Sequence, residues 1–128
     1  MQPNKRLRKR ARQAEEGEQA RYRFRYALQA GATLRGISLK ELGLTIVDVE
    51  ILPQFSGDPD GMCAWLIFAS RAEARRARGP AKVPKIESKI RSALVDDGFP
   101  NSSVGSFEVR YTSVPEIEAG GGRFAFFR

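Results

Sequence analysis

The chain contains no histidine and a single cysteine, and each shortage removes a class of function. Without histidine there is no serine–histidine–acid arrangement, no usual general base and no common zinc site. Cys63 alone can form neither an internal disulfide nor a cysteine-ligated cluster, and in an apolar run it reads as a small buried hydrophobe. No run approaches the ~18 apolar residues of a membrane span, and the N-terminus is too polar after its basic start for a secretory signal. A cytoplasmic protein with no membrane partner is therefore expected. Neither Asp58 with Asp60 nor Asp96 with Asp97 has calcium-loop spacing, and aspartate is an ordinary turn residue. No metal and no cofactor are expected. Glu108, Glu116 and Glu118 have no accompanying pocket residues for acid–base work, so no catalytic residue is assigned.

What is present is enough for one domain: 128 residues, 41% of them hydrophobic, can close around a core of their own. The net charge of +7 is unevenly spread. Residues 1–26 hold nine Lys/Arg against three Asp/Glu, and residues 70–91 hold eight against two. The remaining residues hold five against ten, so the molecule is basic in two places and acidic elsewhere. Segregated charge of this kind creates a local field that attracts an anionic partner.

The opening "MQPNKRLRKRAR" has almost nothing to bury, so residues 1–10 read as a disordered basic arm and 11–128 as a single α+β domain. Residues 20–28 fit two patterns. At period 3.6, Ala20, Phe24, Ala27, Leu28 and Gly31 share one face, which predicts a helix; at period two, Tyr22, Phe24, Tyr26 and Leu28 alternate with arginines as on a strand. The helix is preferred, since the flanking residues are good helix formers. "LTIVDVEIL" (44–52) and "MCAWLIFA" (62–69) read as an antiparallel hairpin across a Pro/Gly/Asp-rich turn, the second strand being central because it is apolar on both faces. Ser70 and Glu73 form a capping box for a short helix ended by Gly79-Pro80. Pro84 then opens a second helix that closes at Gly98, with Ile86, Ile90, Ala93 and Leu94 as its buried stripe. "SFEVRYTS" (106–113) alternates as a strand, with Phe107, Val109 and Tyr111 inward. "RFAFFR" reads as a closing strand beyond a glycine-rich loop.

The expected order is α-β-β-α-α-β-β: an antiparallel sheet of about four strands with helices packed on one face. If residues 21–28 form a strand, the order approaches a ferredoxin-like split β-α-β arrangement. A KH-type RNA module carries a Gly-x-x-Gly loop between its helices. The turn here reads Gly79-Pro80-Ala81-Lys82 and lacks the second glycine, so no family is assigned.

The basic stretch "SRAEARRARGPAKVPKIESKIR" carries the functional expectation. On the first helix Arg71, Arg75 and Arg78 share a face with Arg76 beside it, and on the second Lys85 and Lys89 stand one turn apart. A short turn bearing Lys82 joins them. Several cations along one surface suit phosphates, each of which sheds condensed counterions when it is met. The plainer alternative is a pair of helices with solvated faces. Arg6, Arg8, Lys9 and Arg10 of the arm, with Arg25, would extend the cationic surface, and Tyr22 beside arginines would stack a base. The expectation is a non-enzymatic basic module that contacts RNA or DNA through phosphates. The competing class is a protein-interaction module, of inhibitor or immunity type, that binds an acidic protein.

Overall fold

The computed structural model describes residues 24–54, 56 and 58–127. The basic arm expected at 1–10 lies outside the described residues. The elements run α1 (Arg25–Arg35), a 3-10 turn (Lys40–Leu42), β1 (Ile46–Leu52), β2 (Cys63–Phe68), α2 (Arg71–Ala77), α3 (Val83–Asp96), α4 (Asn101–Ser106), β3 (Glu108–Ser113), α5 (Val114–Ala119) and α6 (Arg123–Phe126). The result is an α+β fold whose three-stranded sheet has the order β1-β2-β3.

β1 and β2 form the expected antiparallel hairpin, with Val49 opposite Leu66 and an irregularity between Ile46 and Asp48. β2 is the central strand, as its two apolar faces require. The sheet departs from expectation at β3, which runs parallel to β2. The reason is the connection. Parallel neighbours need a long crossover, and α2, α3 and α4 supply one between β2 and β3.

The expected fourth strand is also absent from the described residues: 123–126 are helical, and so is 114–119. Ser113 and Glu116 repeat the Ser-x-x-Glu spacing of Ser70 and Glu73, and the Ser113 hydroxyl accepts from the Glu116 amide as the N-cap of α5. The triple glycine therefore leads into a short helix, with Gly121 and Gly122 at positive φ. α6 presents Phe126 and Phe127 together to Trp65, with ring centroids 5.5 and 5.7 Å away. Successive side chains of a strand point to opposite faces and could not both do this. Among the described residues a ferredoxin-like order does not arise.

The main core lies on one face of the sheet. Val49, Ala64, Leu66, Phe68 and Tyr111 meet Leu34 of α1, Ala74 and Ala77 of α2, and Ile86, Ile90 and Leu94 of α3. Residues 25–28 are helical, but the buried face of α1 is Ala30, Gly31 and Leu34, while Leu28 is 70% exposed. Of the face that periodicity suggests, Gly31 is buried and Ala27 partly so, but Ala30 and Leu34 take the place of Leu28. Helices occupy both faces of the sheet, not one: on the second face α6 covers Trp65, and Ile117 of α5 lines a hollow with Val47 and Ile67.

Local signals set the ends of the two basic helices. The Ser70 hydroxyl accepts from the Glu73 amide at 3.1 Å. Glu73 does not complete the box; its carboxylate accepts instead from the Thr45 amide, tying α2 to the segment before β1. Pro84 stands in the first turn of α3. At its other end Gly98 takes φ +88°, the Gly98 amide donates to the Val95 carbonyl and the Phe99 amide to the Leu94 carbonyl. This double closure needs a residue that tolerates left-handed backbone, hence glycine.

Candidate nucleic-acid interface

The segment from Arg71 to Lys89 folds as two helices joined by a tight turn. Ala74 and Ala77 are fully buried, so α2 lies close on β2 and β3 with its arginines on the outer side. In the turn, the Gly79 amide donates to the Arg76 carbonyl, and the Lys82 and Val83 amides both donate to the Gly79 carbonyl. A Cβ at position 79 would sit 3.1 Å from the Arg76 carbonyl oxygen, which accounts for glycine there. These backbone hydrogen bonds fix where α2 ends and α3 begins, with Arg71, Arg75, Arg76 and Arg78 before or at the turn, Lys82 within it, and Lys85 and Lys89 on α3.

The cations of this segment divide into engaged and open ones. Arg78 donates to the Tyr111 carbonyl at 2.9 Å and to both carboxylate oxygens of Glu116, at 3.1 and 3.4 Å. Glu116 accepts in addition from the buried Thr112 hydroxyl. Arg78 therefore ties the end of α2 to β3 and α5, and its charge is largely answered where it stands. Lys89 donates to the Glu41 carboxylate and the Ser38 carbonyl. Arg91 pairs with Glu87 one turn earlier. The side chains of Arg71, Arg75, Arg76, Lys82 and Lys85 have no ion pair or hydrogen bond among the described residues, and all but the half-buried Lys82 are exposed. Lys85 also borders an open hollow of ≈ 530 Å³ with Glu41, Leu42, Pro84, Ser88 and Lys89. Ser88 is a member of this surface that charge alone does not reveal, although its place three residues after Lys85 puts it on the same helical face.

Arg25 does not join this group. Gln29 and Thr33 of its helix hydrogen-bond Asp97, and Tyr26 packs against Phe99 with ring centroids 6.1 Å apart. Arg25 thus stands by the far end of α3, roughly 20 Å along a 14-residue helix from Lys82. Its guanidinium lies over the Tyr26 ring, 4.7 Å from the centroid. Arg6, Arg8, Lys9, Arg10 and Tyr22 lie outside the described residues.

A second charged network crosses β1. Arg123 of α6 donates to Asp48, Glu50 and the Val49 carbonyl, and Arg35 of α1 donates to Asp48 and to the same carbonyl. Burial tends to raise the Asp48 pKa, but the hydrogen bonds from Arg123, the Val49 amide and Arg35 outweigh it and hold the carboxyl below its usual range. Cys63 is half-buried, and burial followed by the neighbouring Glu108 carboxylate pushes its thiol up. A thiol shifted in that direction is a poor nucleophile. Among the described residues no group of three or more Cys, Asp or Glu side chains could hold a metal ion, and no helix is long and apolar enough to cross a membrane.

Comparison with known protein families, with curated proteins and with solved structures finds no match to this chain.

Proposed function

We propose that this protein is a non-enzymatic binding module that holds the phosphate backbone of a nucleic acid on the outer surface of α2, the 78–82 turn and α3. The single observation that carries the reading is the division of cations within the segment from Arg71 to Arg91. Arg78, Lys89 and Arg91 answer carboxylates of the fold, whereas Arg71, Arg75, Arg76, Lys82 and Lys85 are left without a protein partner among the described residues. A surface that served only solubility would have little reason to gather five unanswered cations around one tight turn. Lys82 stands where a KH-type module has its second loop glycine. Here a phosphate would meet an ammonium group rather than bare backbone.

Phosphate contacts position a strand without reading its bases, so sequence preference should be weak. The test is the salt dependence of binding to single-stranded RNA, followed by fluorescence anisotropy. Five phosphate contacts correspond to a slope of log K against log salt of about −3.5 for a single strand. A slope near zero, or binding only to a folded acidic protein at matched salt, would overturn the reading.

A further inference from the structure

Among the described residues β1 and β3 are the edges of the sheet, and they differ in what engages their outward backbone groups. On β1 the outward groups of Val49 are both engaged: its amide donates to its neighbour Asp48, and its carbonyl accepts from Arg35 and Arg123. At this point the edge has no free backbone group with which to pair another chain. On β3, the Glu108 amide donates inward to the Met62 carbonyl. By the alternation of a strand, Glu108, Arg110 and Thr112 face β2, and Phe107, Val109 and Tyr111 turn their backbone groups outward. Arg78 closes the outward Tyr111 carbonyl. Among the described residues nothing engages the Val109 amide, the Val109 carbonyl, the Tyr111 amide or the Phe107 carbonyl.

We propose that this open half-edge, residues 107–111, pairs antiparallel with the same segment of a second copy of the chain, with Val109 opposite Val109 on a two-fold axis. Charge selects both the partner and the register. With Val109 on the axis, Glu108 of each copy stands opposite Arg110 of the other, so the Glu108–Arg110 pair that each chain makes at 2.9 Å meets the complementary pair of its partner. Moving the axis to Arg110 or to Glu108 sets like charges face to face, which is unfavourable in a cross-strand pair. In the proposed register the Val109 amide and carbonyl of each copy bond those of the other, and each Tyr111 amide donates to the Phe107 carbonyl across the axis. Arg78 on the Tyr111 carbonyl stops the pairing from extending along the strand. Each copy satisfies the other's open groups, as an isologous interface requires. The proposal does not rest on nucleic-acid binding.

Sedimentation equilibrium at low salt, from micromolar to millimolar protein, tests it. The weight-average mass of the wild type should rise with concentration from one chain towards two. Glu108→Arg and Arg110→Glu should each stay at one chain, because each sets like charges opposite one another. A 1:1 mixture of the two variants should associate again, and so should the double variant with both charges exchanged. Both side chains are more than half exposed, so the fold should survive every substitution. A wild type of constant single-chain mass at all concentrations would overturn the proposal, even if an extended peptide from another protein can be added to this edge. Single variants that associate as well as the wild type would overturn it too.

Discussion

The Arg78 guanidinium donates to the backbone carbonyl of Tyr111 at 2.9 Å, joining the end of the first basic helix to the outer edge of the sheet. Read as sequence, Arg78 is one more cation in a basic run. In the fold it occupies a carbonyl that a strand edge would otherwise leave open, and it gathers Glu116 and, through it, Thr112.

Arg78→Ala should therefore lower stability, while Arg75→Ala should not. Charge-assisted hydrogen bonds contribute about 1.5–3 kcal/mol each, and discounting for a side chain that is 46% exposed leaves about 1–2 kcal/mol. Arg75 touches no protein partner among the described residues, so its removal should change stability by no more than about 0.5 kcal/mol. Urea melts of the two variants make the comparison. Arg78→Lys should not recover the wild type, because a single ammonium cannot span the carbonyl and the carboxylate as the guanidinium fork does. Equal midpoints for Arg75→Ala and Arg78→Ala would refute the structural role of Arg78.

The same division sorts the binding variants. Replacing Arg71, Arg75 and Arg76 together by alanine should flatten the salt slope by about 0.7 for each phosphate of a single strand that is no longer neutralised, some 2 in total, with the melt unchanged. An unchanged slope would mean that these arginines are merely solvated, and a protein partner would then become the better reading.

Asp48 gives the protein an acid-sensitive link between β1, α1 and α6. Its folded pKa is depressed, so the stabilisation is present above the unfolded value of about 3.9 and is lost as pH falls through the folded value. Urea midpoints measured from pH 7 downward should fall below about pH 4. Asp48→Asn should be less stable at neutral pH and show a shallower acid decline. A variant with the wild-type profile would show that the network contributes nothing.

Tyr111 predicts the opposite dependence. Its hydroxyl is buried without a partner among the described residues, and burial, followed by the charge of Glu87, pushes the phenol up to about 12. The unfolded phenol titrates near 10. Its contribution is therefore complete below about pH 10 and is lost as pH rises through the folded value. The phenolate absorbance of the folded protein should show a late component that is missing in Tyr111→Phe. Since phenylalanine removes an unanswered polar atom, stability at neutral pH should hold or rise by up to about 1 kcal/mol. A clear destabilisation of that variant would mean that the hydroxyl has a partner.

How much of this is legible before folding differs from element to element. Ser70 with Glu73, Pro84 and Gly98 mark their helix ends because caps act through the nearest few residues. The apolar faces of 63–68 mark a central strand for an equally local reason. Ser113 with Glu116 carries the same capping signal, but the neighbouring glycines, read locally, suggest a loop instead. The final aromatic run cannot be settled locally, since a short apolar segment suits either a strand or a helix. Trp65, more than sixty residues away in the chain, decides it by taking both Phe126 and Phe127.

The sequence by itself determined that this is one α+β domain, basic in two places, with its helix ends marked by their own residues, because composition and capping depend only on near neighbours. The direction of β3 waited on the tertiary structure, as did the fate of each cation. A guanidinium is open or engaged according to what lies within ~3 Å of it. For Arg78 those groups are Tyr111 and Glu116, more than thirty residues further along the chain. No property of residues 70–91 taken alone distinguishes Arg78 from Arg75; only the close approach of α2 to β3, permitted by Ala74 and Ala77, makes one a clamp and leaves the other facing water.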